Sequence, residues 1–304
     1  MEKSCLRCLY WNIHGISSRI LGEKNDDPEF LKIISKFDII CISELHTAKI
    51  VSIPGFYLKK QKFRPKKHKG PKIGGGLAVY LRHNIANNFR LIPNENVDSI
   101  WIRSKGTDET VLGFYYCSPE YGGSNFFEVV NGEVEKFNNN KNTLIFGDFN
   151  ARTKTVCENI VHDKYDEFLG IDPKMTELPL SRNSEDTKLL NMRGKDFLDI
   201  CRINDLTIAN GRVMGDLFGK YTCHQLRGSS VVDYLITPHK TLNNILEFRV
   251  GDIHPLLSDH CPIMATVHLN NPIKQDEEQQ IQMLKLLNKF QWDSDSTVTF
   301  SETK

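Results

Sequence analysis

Four kinds of residue that can do acid, base or metal chemistry recur at the ends of apolar runs in this 304-residue chain. Asn12 closes Cys5-Leu6-Arg7-Cys8-Leu9-Tyr10-Trp11, and Glu44 follows Asp38-Ile39-Ile40-Cys41-Ile42-Ser43. Asp148 and Asn150 follow Thr143-Leu144-Ile145-Phe146-Gly147. Asp233 interrupts Val231-Val232 and Tyr234-Leu235-Ile236, and Asp259 and His260 lie just before Ile263-Met264-Ala265-Thr266-Val267. One acid at a strand end is commonly only a turn former. Five such places carrying carboxylate, amide or imidazole suggest more. Oxygen donors suit a hard divalent cation, a carboxylate can take a proton from water, and a histidine with a carboxylate neighbour can be held charged. Strand-end loops on a rigid sheet are where such groups concentrate.

The elements that must position them are short. The runs around 5–12, 38–42, 76–81, 111–116, 143–146, 207–209, 219–222, 231–236 and 263–267 read as strands. Helical spacing marks Pro28–Ile34, with its proline near the start, and the stripe Phe197, Leu198, Ile200, Cys201 and Ile203. The polar stretch 151–191 lacks clear periodicity and reads as an irregular insertion. Many strands with few helices predict a mixed α/β sandwich. Residues 1–270 are expected to form the domain. Beyond it, residues 271–304 form a tail in which Ile281, Met283, Leu284 and Leu287 outline an amphipathic helix.

Composition narrows the class. With 39% hydrophobic and 25% charged residues the chain reads as an ordinary globular protein, and the net charge of +1 points to no partner by itself. No run reaches the roughly 18 apolar residues of a membrane span. The start, Met1-Glu2-Lys3-Ser4-Cys5, has no apolar core of a secretory signal. Cys5 and Cys8 have CxxC spacing, but positions i and i+3 of a strand face opposite sides, so the eight cysteines are expected to be reduced thiols in an intracellular protein. The stretch 59–72 holds eight Lys or Arg, no acid, and Phe63. It reads either as a solvated loop, as an import signal, or as an arm on a nucleic-acid backbone through Lys66, Lys67 and Lys69.

At these residues the sequence resembles the endonuclease/exonuclease/phosphatase superfamily with its deoxyribonuclease-I-like fold. The resemblance rests on Trp11-Asn12-Ile13-His14-Gly15, Ser43-Glu44, Tyr116-Cys117-Ser118-Pro119, Gly147-Asp148-Phe149-Asn150, Ser230-Val231-Val232-Asp233-Tyr234 and Ser258-Asp259-His260, in the family's order. Gly74-Gly75-Gly76-Leu77, Arg182-Asn183-Ser184-Glu185-Asp186, Ala209-Asn210-Gly211-Arg212, Gly215-Asp216 and Phe290-Gln291-Trp292-Asp293 are similar to the endonuclease domain of LINE-type retrotransposons. The aromatic residues that shape a damaged-nucleotide pocket in abasic-site repair enzymes are missing, so that specificity is not expected.

The resemblance implies a four-layer sandwich of two mixed β-sheets flanked by helices, and a Mg²⁺-dependent enzyme (Mn²⁺ being the alternative ion) that nicks DNA in the nucleus. It implies that Glu44, Asn12 and Asp259 serve the metal, with Asn12 either ligating it or orienting Glu44. Asp148 would accept or orient the proton of the attacking water, and Asn150 would donate to phosphate oxygens. Asp233 would orient a protonated His260, while Tyr116 and Ser230 would contact phosphate. In a retrotransposon the resulting 3′-hydroxyl primes a reverse transcriptase domain, which is the partner expected besides DNA. Two other readings stay open: a phosphoesterase acting on lipid or inositol phosphates, and a domesticated domain that kept the fold but not the activity.

Overall fold

The computed structural model describes residues 2–64, 74–106, 108–119, 124–138, 142–158 and 181–275. Strict alternation along the strands decides how they stack, because successive side chains of a strand point to opposite faces. Leu6, Cys8 and Tyr10 face one way along the first strand, Glu2–Asn12, while Leu9 and Trp11 face the other.

Two six-stranded mixed sheets result. In the first, the order across the sheet is Ile245–Val250, Ile263–Lys274, Glu2–Asn12, Ile39–Ser43, Leu77–Arg82 and Phe56–Lys62. In the second it is Leu206–Ile208, Asp233–Pro238, Thr143–Asp148, Val111–Tyr116, Ser99–Ser104 and Phe89–Ile92. The inner faces meet in one core built from Leu6, Cys8, Tyr10 and Val79 on one side and Ile100, Phe114, Leu144 and Phe146 on the other. Helix Pro28–Ile34 covers the outer face of the first sheet through Phe30 and Ile34. Helices Ser124–Phe137 and Met192–Ile203 cover that of the second through Val130, Val134, Phe197 and Cys201. Three apolar layers between four structural layers make the expected α/β sandwich.

The local signals act where the sequence placed them. Asp27 caps Pro28–Ile34 by accepting the Phe30 N–H, with proline in the first turn, and Asn191 caps Met192–Ile203 by accepting the Gly194 N–H. Six of the eight cysteines are buried and all are free thiols, with Cys8 in the inter-sheet core and Cys5 only partly covered. The described parts of the insertion, 151–158 and 181–191, contain no helix or strand before Met192. The residues Lys66, Lys67 and Lys69, and the tail helix around Ile281, lie outside the described residues.

Two strand expectations need correction. Residues 219–222 are not a strand: the Asp216 carboxylate accepts the backbone N–H of Gly219 and Lys220 at 3.0 Å each and pulls them out of extended pairing. The hairpin strands are instead Cys223–Gln225 and Gly228–Ser230. Likewise Val231 and Val232 stay outside the ladder that begins at Asp233. Their N–H groups go to the Asp186 carboxylate (3.2 Å) and the Thr222 hydroxyl (3.0 Å).

Candidate active site

Register brings the strand-end residues together. In each sheet a parallel pair lies at the centre: Glu2–Asn12 beside Ile39–Ser43, and Val111–Tyr116 beside Thr143–Asp148. Parallel strands end at the same side, so Asn12 lies opposite Ser43, next to Glu44, and Tyr116 lies opposite Asp148. Antiparallel pairing then sets Asp233 beside Asp148. Tyr10 ties the two sheets at this end: its hydroxyl donates to the Tyr115 carbonyl (2.8 Å) and accepts the Asp148 N–H (3.0 Å).

One half of the site is dry. Asp148, Asp233 and His260 are all buried, and one donor or acceptor atom of each lies within 4.8 Å of those of the other two. The Asp233 Oδ2 meets His260 Nδ1 at 2.9 Å, while Asp233 Oδ1 has no hydrogen-bond partner. Burial opposes charge on His260, but the Asp233 carboxylate, with Cys223 and Asp148, holds its pKa well above the ordinary imidazole value. Asp148 accepts the Asn12 amide on Oδ2 (3.0 Å) and the Asn150 N–H on Oδ1 (2.9 Å). Burial, then the charges of Asp233 and Glu44, push its carboxyl pKa up despite the opposing pull of His260. The Ser258 hydroxyl accepts the His260 N–H and donates to the Asn12 carbonyl, locking the loop against the first strand.

The other half opens to solvent. Burial would raise the pKa of Glu44, but hydrogen bonds from His46, Tyr116 and Asn12 outweigh it and bring the carboxyl down to about 2. Asp259 is brought to about 2 as well, its burial overcome by His14, His260 and Gln225. His14 Nδ1 lies 3.2 Å from Asp259 Oδ1 and 3.8 Å from Glu44 Oε2, and His46 Nε2 lies 3.3 Å from the same Glu44 oxygen. Of the six non-glycine residues with left-handed φ among those described, His14, Glu44, His46 and Asn150 are here. Such backbone costs on the order of 1–3 kcal/mol per residue and gathers where geometry is functional.

The sequence-predicted residues behave unequally. Asn12, Glu44, Asp148, Asp233, Asp259 and His260 converge. Asn12 donates to Asp148, and its oxygen accepts the His14 N–H (3.0 Å), so it joins the two halves. The Tyr116 phenol donates to Glu44 rather than standing free for a phosphate. Asn150 donates one amide hydrogen to the Cys117 carbonyl (2.7 Å), which leaves the second available. Ser230 lies across the hairpin from Cys223, and it is Cys223 that pairs with His260. His14, His46 and Cys223 were missed, although His14 and His46 lie two residues from Asn12 and Glu44.

The flanking motifs explain themselves structurally. Asn183 donates its N–H to the Gly211 carbonyl, and a side chain at Gly211 would put its Cβ 1.9 Å from the Asn183 oxygen, so only glycine fits. Asp186 then reaches the Val231 N–H two residues from Asp233. Gly75, with φ +67°, accepts the His46 N–H on its carbonyl and lies against the Tyr116 ring. These segments buttress the site from behind.

Two mixed sheets carrying an ionised carboxylate pair on one side and a buried aspartate–histidine cluster on the other define an α/β-sandwich hydrolase site. The profile of the Endonuclease/Exonuclease/phosphatase family matches residues 9–260, and the chain belongs to that family. Among solved structures, an AP endonuclease from Leishmania major is 13% identical, with a TM-score of 0.59 over 87% of this chain and 88% of that one. The endonuclease domain of TRAS1, a telomere-specific non-LTR retrotransposon, is 18% identical with a TM-score of 0.55 over 88% of this chain and 100% of that one. A 3′ phosphatase from Neisseria bound to a product DNA hairpin is 15% identical, with a TM-score of 0.54 over 86% of this chain and 98% of that one. At these identities the likeness establishes the shared fold. No curated protein matches the sequence. None of the described helices is long and apolar enough to cross a membrane.

The family is typically dependent on a divalent metal, and the residues here fit one. Glu44 and Asp259 are oxygen donors held ionised, and Asp259 Oδ1 is a buried atom engaged only by the exposed His14 ring at 3.2 Å.

Proposed function

We propose that the chain is a divalent-cation-dependent phosphodiesterase that nicks DNA and leaves a 3′-hydroxyl end. The observation that carries the reading is the division of the site, with Asp148, Asp233 and His260 dry on one side and Glu44 and Asp259 ionised at the open mouth. Phosphodiester hydrolysis needs both functions, since charge must be neutralised on phosphate oxygens while a water is deprotonated in line with the leaving alkoxide. A Mg²⁺ or Mn²⁺ ion held by Glu44 and Asp259 would supply the charge neutralisation.

The chain's own residues do the rest. Asp148, raised in pKa and fixed by Asn12 and the Asn150 N–H, orients the water and takes its proton. His260, kept charged by Asp233 on Nδ1, donates to a phosphate oxygen from Nε2. The second amide hydrogen of Asn150 does the same. Tyr116 steadies Glu44 in the resting arrangement, and contact of its phenol with phosphate requires that bond to break. Asn12 is the orienting residue that couples the two halves. DNA as substrate, and a reverse transcriptase domain as the user of the 3′ end, draw support from the fold shared with a retrotransposon endonuclease domain.

Supercoiled plasmid decides the matter. The purified protein should relax it by single-strand nicks in Mg²⁺, lose the activity in EDTA, and leave ends that a polymerase extends. Hydrolysis of inositol phosphates by folded protein that leaves plasmid intact would replace this reading with the phosphoesterase one.

A further inference from the structure

Cys223 takes no part in the proposed chemistry, yet its thiol sits against the ring that does. The hairpin strand Cys223–Gln225 and residues 259–261 run antiparallel. The His224 N–H donates to the Asp259 carbonyl (2.7 Å), and the Cys261 N–H donates to the Thr222 carbonyl (2.8 Å). These two bonds flank Cys223 and His260, which pair without bonding each other's backbone. In such narrow pairs the Cα atoms lie about 4.5 Å apart and the side chains meet on one face. The His260 ring accordingly donates to the Cys223 sulfur. One ligand atom each from Cys223, Asp259 and His260 lies within 4.8 Å of the other two. Asp233 holds Nδ1 of His260 at 2.9 Å, so Nε2 is the nitrogen directed at this cluster. A carboxylate behind an imidazole in this way fixes the tautomer and aims the other nitrogen, as it does for histidine ligands of zinc. The Asp259 oxygens are held by exposed partners that can swing aside, Oδ1 by the His14 ring and Oδ2 by the Gln225 amide at 3.2 Å.

We propose that Cys223, Asp259 and His260 form a site for one thiophilic divalent ion of the Zn²⁺ class. Zinc takes Cys, His and carboxylate ligands in a tetrahedron and accepts water in an open fourth position. Its bonds, about 2.3 Å to sulfur and 2.0–2.2 Å to nitrogen and oxygen, set the ligand atoms about 3.4–3.6 Å apart. The cluster therefore has to close by at most about 1.4 Å at its widest. Mg²⁺ gains nothing from the sulfur, because it prefers oxygen and keeps its waters. The buried carboxylates of Asp148 and Asp233, beside His260, favour the incoming charge. Two protons leave for solvent as the ion enters, one from the thiol and one from Nε2, while the Nδ1 hydrogen stays with Asp233. An ion held there takes His260 from phosphate and Asp259 from Mg²⁺, so it inhibits. That consequence, unlike the site itself, rests on the function proposed above.

The test is titration of the full chain without Mg²⁺ or DNA, using Zn²⁺ followed by calorimetry and Co²⁺ as its visible stand-in. Wild type should bind Zn²⁺, and bound Co²⁺ should show thiolate-to-metal charge transfer with the strong d–d bands of a four-coordinate ion. Cys223→Ser, which alters one atom, should lose the charge-transfer band. It should also lose at least about tenfold in Zn²⁺ affinity, the least that even an outer partner contributes at such sites. Asp259→Asn should weaken binding while keeping the band, which gives a second reading if the serine variant does not fold. The control is the Cys5→Ser, Cys157→Ser double variant, which removes the two thiols that are not buried and should bind as wild type does. A band that survives Cys223→Ser, or that disappears in the control, would place the ion at another cysteine and overturn the proposal. Absence of Zn²⁺ binding, or an affinity indifferent to Asp259→Asn, would overturn it as well. Nicking in Mg²⁺ is then compared with and without Zn²⁺, each protein against its own Zn²⁺-free rate. Slowing of wild type that weakens in Cys223→Ser is the expected result. Zn²⁺ bound as described but without slowing would leave the site standing and count against the role given to His260.

Discussion

The two halves of the site are built on opposite principles. Around His260 every functional group is enclosed, with Asp148 and Asp233 no more than 1% exposed and His260 5%. Around Glu44 the groups face water, with the side chains of His46 and Asp259 33% and 26% exposed. Charge interactions strengthen as water is excluded, so the dry half can fix protonation states and geometry. The open half gives up that strength and gains exchange, because an ion and a substrate must enter and leave. Asn12 belongs to both: its amide donates to Asp148, while its oxygen holds the turn that carries His14. The difference teaches that proton handling and cation binding should be separable by mutation.

The largest effect should come from the dry half. Asp148→Ala and His260→Ala should each lower the nicking rate by at least about 10²-fold, the scale of a positioned acid–base group. Asp148→Asn, which keeps the shape, should lose rate to a similar degree while binding the metal as wild type does. A drop in metal affinity as large as that of a Glu44 variant would mean that the halves act as one unit, and the comparison would fail.

A smaller and different effect is expected from the open half. Glu44→Gln removes the charge of the proposed ligand but leaves a group that can still accept from Tyr116 and stay in its turn. The metal concentration for half-maximal nicking should rise about tenfold or more, with much of the rate recovered at saturating metal, because outer and inner partners of a metal commonly matter on that scale. Loss of maximal rate with no change in metal requirement would assign Glu44 to chemistry rather than cation binding.

How far the site could be read from sequence follows the same division. The buried residues were legible because each borders an apolar run, as Asp148 terminates Thr143-Leu144-Ile145-Phe146-Gly147, and the central strands are apolar on both faces. Three of the four edge strands were not legible, nor was the interior strand Ser99–Ser104, whereas the edge strand Leu206–Ile208 was expected. Phe56–Lys62, Phe89–Ile92 and Ile245–Val250 each border a sheet, and their exposed residues break the apolar run that marks a strand. The helix Ser124–Phe137 was also missed, although Phe126, Phe127, Val130 and Val134 have helical spacing and all lie in the outer core. In the open half, His14 and His46 sit in turns with no periodic signal, and only their spacing from Asn12 and Glu44 could have marked them. Residues 219–222 failed for a further reason, since a side chain at Asp216 captures their backbone and no local pattern reports that.

The smallest effect concerns the approach of substrate to the open half. Of the eight basic residues in 59–72, Lys59, Lys62 and Arg64 are already committed within the protein. Lys59 donates to the Phe89 carbonyl, Lys62 to Asn94 and the Asn96 carbonyl, and Arg64 to Asp98 beside the Tyr116 ring. They hold the base of the stretch to the fold close to Glu44, whose partner is Tyr116. Five remain, Lys60, Lys66, Lys67, Lys69 and Lys72, and of these Lys66, Lys67 and Lys69 are the candidates for phosphate contact. If they neutralise phosphates, each contributes about 0.9 to the slope of log affinity against log salt on duplex DNA. The triple alanine variant should therefore bind DNA more weakly at every sequence, with a slope flatter by up to about 2.7. The choice of nicked site should not move, because phosphate contacts position while base contacts specify. Rate at saturating DNA should hold as well, since neither half of the site has been altered. An unchanged slope, measured by binding over a range of salt, would return this stretch to a solvated loop or an import signal. A flatter slope accompanied by a changed metal requirement would place the arm on the ion rather than on the backbone, and would join the two regions that the other variants are expected to separate.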